Sequence, residues 1–152
     1  MAFQFTLEAI RRYRQSLEDG ERLRLESLLA RRTTLLHELE QSTTAGLQLQ
    51  QDLQRSLIAS PIPAAEIHFS SARLDAIANR RALLQRQMEE LQVAISQQML
   101  RFQQARRQRE VLDSLRDSQL REYRMQQQRR DQAQLDELHL LGRARNRRAR
   151  FA

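Results

Sequence analysis

The sequence predicts an all-α fold, a long antiparallel two-helix coiled-coil hairpin with an overhanging C-terminal helix. Three observations carry that expectation. Helix formers dominate, with 26 Arg, 25 Leu and 21 Gln among 152 residues, and only 3 Gly and 2 Pro interrupt them. Apolar residues recur at three- and four-residue steps over two long stretches, the period of an amphipathic helix laid along a partner. Both prolines fall together, at Pro61 and Pro63, and divide the chain into two helical runs. The same scarcity of turn formers, with aromatics at 5%, argues against a β-sheet fold.

The first helix is expected over about residues 5–58. Its apolar stripe is Leu25, Leu28, Leu35, Leu39, Leu49 and Leu53, with Arg32, Ser42 and Gly46 filling other seam positions. Upstream, Leu7, Ile10 and Leu17 follow a slightly different register that meets the first near Glu21 to Leu28, which predicts a stutter. The turn is expected at 59–63, Ala59-Ser60-Pro61-Ile62-Pro63, where two prolines remove two backbone donors and push the residues before them out of the α region. Either Ser60 or Ile62 then becomes the entry to the second helix.

The second helix is expected over about 64–141. Heptad steps from Ile67 give Leu74, Arg81, Met88, Ile95, Phe102, Arg109, Arg116 and Tyr123; the interleaved set is Ile77, Leu84, Leu91, Gln98, Ala105, Leu112 and Gln119. Ser70-Ser71 leaves room for a kink or a separate short helix near Ile62 to Phe69, and Gly142 predicts the helix end. Residues 1–142 thus read as one coiled-coil domain and 143–152 as a basic flexible tail.

A connector of about five residues forces the helices back antiparallel, because each apolar stripe needs a partner. At 1.5 Å per residue the helices span ~80 Å and ~115 Å. The N-terminus then lies beside roughly Gln119, and residues beyond Tyr123 overhang, with Met125-Gln126-Gln127-Gln128-Arg129-Arg130 polar nearly all round.

Charge narrows the function classes. The net charge is +7, yet residues 1–60 are balanced, 61–142 carry +2, and 143–152 carry five Arg and no acid. The tail has the chemistry of a phosphate contact, but it contains no aromatic stacking platform and sits in no nucleic-acid-reading fold, so no specific nucleic acid is expected. There is no Cys, no apolar run of the ~20 residues that cross a bilayer, and no apolar signal core in the first 14 residues. A cytosolic chain without a transmembrane segment is the expectation. His37, His68 and His139 are isolated, with no metal-binding spacing, no phosphate loop and no nucleophile elbow, so neither enzyme activity nor a cofactor is expected. Glu18 to Arg22, Asp117 to Arg121 and Asp113 to Arg116 have the spacing of helix-surface ion pairs. The seam arginines Arg32, Arg81, Arg109 and Arg116 either snorkel outward or pair across the hairpin.

Two stretches carry a family resemblance. Phe3-Gln4-Phe5-Thr6-Leu7-Glu8-Ala9-Ile10-Arg11-Arg12-Tyr13-Arg14 resembles the F-x-F-x-L-x-x-(L/I)-x-x-(Y/H)-R opening of the FliJ family of flagellar type III export proteins. The segment from Arg106 to Leu138 is similar to that family's C-terminal half, with paired basics before Glu110-x-Leu112-x-x-Leu115, then Tyr123, Asp131-Gln132 and Asp136-Glu137. The absence of Lys departs from the family in composition and leaves the motif residues in place.

The resemblance implies a non-catalytic coiled coil similar to the central stalk of rotary ATPases. Its partners would be the hexameric flagellar export ATPase, which takes the end carrying both termini, and the cytoplasmic linker of the export-gate membrane protein, which meets the hairpin end. Export chaperones are a further partner class. Carried over residue by residue, the ring-facing candidates are Arg11, Arg12, Tyr13, Arg14, Arg121, Tyr123 and Arg124; the gate-facing ones are Leu49, Leu53, Leu57, Phe69, Leu74 and Ile77. The protein would then sit at the inner face of the cell membrane through the export apparatus. Alternatives are the equivalent stalk of an injectisome, a nucleic-acid-binding coiled coil, and a generic coiled-coil scaffold.

Overall fold

The computed structural model describes residues 3–150, with side chains through residue 145. Two helices, α1 (Glu8–Ala59) and α2 (Ala64–Arg150), are the regular elements among the described residues, and they pack against each other as an all-α helical hairpin. α1 begins where the Phe5 carbonyl accepts the Glu8 N–H at 3.1 Å and the Leu7 carbonyl accepts the Arg11 N–H at 2.9 Å. Glu8 places an acid in the first turn, where it complements the helix dipole. The last backbone bond of that helix end runs from the Ser60 N–H to the Ser56 carbonyl at 3.3 Å, and Pro61 then offers no donor. The Pro63 carbonyl accepts from Glu66 at 3.0 Å and Ile67 at 3.3 Å, so the entry to α2 follows Pro63 and not Pro61.

α2 runs without a break through Ser70-Ser71 and through Gly142, where a kink and a terminus were expected. No glycine among the described residues has a positive φ. A helical glycine costs only about 1 kcal/mol relative to alanine, and the Leu, Ala and Arg residues around Gly142 carry the helix across it. Residues 143–150, expected as a flexible tail, are the last two turns of α2.

The chain divides into two compact units. In the unit Leu17–Ala105, Leu35, Leu84, Leu91 and Ile95 form a buried cluster, with Leu25, Leu28, Leu39 and Met88 packed against it. Pairs across this seam run in opposite chain directions. Arg80 bonds Glu38 at 3.3 Å, and Gly46 lies so close to Ile77 that an added Cβ would stand 3.4 Å from Ile77 Cγ2. Gln98 is buried; its Nε2 donates to the Glu21 backbone carbonyl at 3.0 Å and to the Glu21 carboxylate. The expected α2 seam positions in this unit are buried or half-buried, except Ile67 and Arg81.

The other unit, Met1–Ser16 with Arg106–Ala152, has a different interior. The Phe3 ring meets Tyr123 at 5.7 Å between centroids, tilted by 50°, and Phe5 is buried. The chain start therefore lies beside Tyr123, one helical turn past the expected Gln119.

The stutter expected in α1 is absent. Ile10 and Leu17 are 47% and 39% exposed, while Leu7, Arg11, Arg14, Glu18 and Glu21 hold the half-buried places in unbroken step with Leu25, Leu28 and Leu35. A seam one residue wide stays partly wet, so paired charges and long side chains can occupy it. In α2, residues 124–145 are all exposed except half-buried Gln127.

Candidate functional site

The charged cluster of the unit containing both chain ends is built from the first two turns of α1 and residues 106–116 of α2. Glu8 gathers three arginines, with Arg11 at 2.8 Å, Arg12 at 3.4 Å and Arg116 at 3.7 Å. Arg11 also donates to Asp113 at 3.2 Å, and Arg109 pairs with the second oxygen of that carboxylate. Arg14 donates to Gln108 Oε1 at 2.6 Å.

The electrostatics follow from these contacts. The Arg11 guanidinium hydrogen-bonded to Glu8, aided by the charges of Arg11 and Arg116 and a bond from Arg12, holds the Glu8 carboxyl below its ordinary value of 4.5 against an opposing push from desolvation. Arg11 is held still more firmly protonated by its bonds to Glu8 and Asp113. Positive charge outnumbers negative here, so the surface suits an acidic protein face more than a basic one.

Arg22, Asp113 and Arg116 of the expected ion pairs have further partners. Arg22 pairs with Asp19 at 2.8 Å and Glu26 at 3.9 Å, Asp113 takes Arg109 and Arg11, and Arg116 reaches Glu8 on the facing helix. Of the seam arginines, Arg32 and Arg81 are exposed, whereas Arg109 and Arg116 are half-buried and paired.

The seven ring-facing candidates all lie in this unit, and they divide into two kinds. Arg11, Arg14 and Tyr123 are half-buried and hold the helices together through Asp113, Gln108 and Phe3. Arg12, Arg121 and Arg124 are exposed, and Tyr13 is 61% exposed. Phe5, a residue of the F-x-F-x-L opening that is not among the ring-facing candidates, is the buried side chain of this chain start.

The six gate-facing candidates lie in the unit Leu17–Ala105 and divide in the same way. Leu49, Leu53, Leu74 and Ile77 are half-buried seam residues; Leu57 and Phe69 are 51% and 65% exposed. The Arg73 guanidinium stands 6.0 Å from the Phe69 ring centre. Ile58, next to Leu57 in the last turn of α1 and absent from the gate-facing candidates, is 87% exposed.

His37, His68 and His139 are exposed, and His37 bonds Gln41 at 2.8 Å. Among the described residues no group of His, Cys, Asp and Glu could hold a metal, and no helix is long and apolar enough to cross a membrane.

A family model described as Flagellar FliJ protein matches residues 3–148. Neither the curated proteins nor the solved structures yield a match.

Proposed function

The chain belongs to the FliJ family of flagellar proteins and is associated with flagellar protein export; from that premise we propose that it is a non-catalytic stalk that binds and regulates the hexameric export ATPase and links it to the export gate. The family match over nearly the whole chain is the observation that carries the reading.

In this proposal the ATPase ring meets Arg12, Tyr13, Arg121 and Arg124, the exposed members of the ring-facing set, while Arg11, Arg14 and Tyr123 keep the paired helix ends in the shape the ring recognises. Leu57 and Phe69, with Ile58 in the last turn of α1, meet the cytoplasmic linker of the gate protein. Leu49, Leu53, Leu74 and Ile77 frame that surface from the seam. Export chaperones dock along the exposed part of α2 beyond Tyr123. The protein is held at the inner face of the membrane through these partners.

The mechanism requires no chemistry from the stalk. An asymmetric two-helix end inside a six-fold ring contacts its subunits unequally, so it binds one subunit state better than another and biases nucleotide turnover and ring assembly. The test is hydrolysis and oligomerisation of the export ATPase with and without this chain. A rise in both is expected, and it should vanish when residues 1–14 are removed. No change in either, under conditions where the ATPase alone is active, overturns the stalk reading.

A further inference from the structure

We propose that the last four turns of α2 form a basic amphipathic helix that lies on an anionic lipid surface. Leu135, Leu138, Leu140 and Leu141 are 61%, 66%, 65% and 66% exposed, a density of exposed leucine found nowhere else among the described residues. Leu135, Leu138 and Leu141-Gly142 follow one another at helical spacing on one face, and Leu135, Leu138, His139, Gly142 and Arg143 line a single shallow groove. At ~100° per residue Asp136 and Leu140 fall on the opposite side of the helix and Glu137 on its flank, so the lipid-facing leucines are Leu135, Leu138 and Leu141.

The helix does not stop at Gly142 but continues to Arg150. Residues 143–152 carry five arginines and no acid. Exposed leucines leading directly into a cluster of four to eight basic residues are the two features that together hold a helix in a bilayer interface. A nucleic acid would neutralise the arginines and leave the leucines in water. An anionic bilayer uses both, and charge complementarity with leucine burial selects it. This contact uses the same stretch of α2 that the proposed function gives to export chaperones, so it is assayed without chaperone, ATPase or gate protein.

The experiment is co-sedimentation of the full chain with vesicles of equal parts phosphatidylglycerol and phosphatidylcholine, against vesicles of phosphatidylcholine alone. Binding is expected to the anionic vesicles only, and it should weaken with salt. Each arginine near the surface contributes about fivefold, so changing Arg143, Arg145, Arg147, Arg148 and Arg150 together to Gln should lower partition at least about a hundredfold. Changing Leu135, Leu138 and Leu141 together to Ser should lower it at least about tenfold. All these positions lie on α2 beyond Tyr123, and unchanged helical circular dichroism confirms that the hairpin survives. The chain has no Trp, so Leu138→Trp supplies a single reporter in an otherwise intact protein; its emission should move to the blue on anionic vesicles. Binding that is indifferent to the leucine changes, an unshifted indole emission from the Leu138→Trp variant, or retention of duplex DNA without vesicle partition each overturns the proposal.

Discussion

Leu91→Ala tests where the stability of the unit Leu17–Ala105 resides. Leu91 is 6% exposed and shares its cluster with Leu35, Leu84 and Ile95 at 7%, 4% and 4%. Truncation removes three carbons from that cluster, a transfer loss of about 2.4 kcal/mol at ~0.8 kcal/mol per buried carbon. A residual cavity would add to this in a thick core, where such changes reach about 5 kcal/mol. Here the neighbours Leu25, Leu28, Leu39 and Met88 are only partly buried and no third layer covers the seam, so side chains and water can fill the gap. The expected cost is therefore the low end, about 2–3 kcal/mol. Leu100, 67% exposed on the same helix, is the control, with an expected change within about 0.5 kcal/mol. Urea and thermal unfolding followed by helical circular dichroism measure both. Leu91→Ala should lower Tm by about 5–10 °C, at roughly 2–4 °C per kcal/mol for a chain of this size. A cost for Leu91→Ala indistinguishable from that of Leu100→Ala would mean that the apolar seam does not hold this unit together, and the packing argument fails.

Three further outcomes follow from the geometry. Gly20→Ala should stabilise by up to about 1 kcal/mol, because a Cβ there has open space within 4 Å; Gly46→Ala should gain slightly less, since its Cβ would stand at 3.4 Å from Ile77, an ordinary contact, and a loss of stability on chemical unfolding would show the seam to be tighter than that. Because the folded Glu8 carboxyl titrates below its ordinary 4.5, its contribution is present above that value and is lost as pH falls through the lowered one. Amide protection over residues 8–14, taken relative to the intrinsic exchange rate at each pH, should fall with acidification in the native chain and lose that dependence in Glu8→Gln; identical protection profiles refute the ion cluster as the clasp of the helix start. Finally, Arg12→Ala with Arg124→Ala should weaken binding to the export ATPase while leaving Tm within about 2 °C, as expected for exposed side chains, whereas Arg11→Ala should lower Tm as well. Equal thermal effects of the two would erase the division between contacting and holding residues.

The difference between what the sequence discloses and what it withholds comes from how a two-helix seam is wetted. Where the seam is apolar, as at Leu84, Leu91 and Ile95, heptad spacing alone locates the buried face, because no other face of the helix repeats with that period. Pro63 is equally legible in kind, since a residue lacking its own donor fits best before a helix or in its first turn, and the Glu66 and Ile67 bonds select it over Pro61. At the start of α1 the same reasoning points the wrong way. It follows Ile10 and Leu17, which face outward, and passes over Arg11, Arg14, Glu18 and Glu21, which face the seam. Apolar character marks burial only where desolvation is costly enough to exclude charge, and a half-open seam with an ion partner at hand does not meet that condition. Ion-pair spacing fails for a related reason. It states which partners a side chain can reach along its own helix, but Asp113 and Arg116 are claimed by Arg11 and Glu8 of the facing helix, and those become neighbours only once the register is fixed. The functional set inherits this limit. Motif residues identify Arg11, Arg12, Tyr13 and Arg14 as a group because they are contiguous, yet contiguity on a helix spreads four residues around the whole circumference. Two of them must therefore turn inward when the other two turn outward, and any outward surface of a two-helix hairpin is interleaved with the residues that hold its shape.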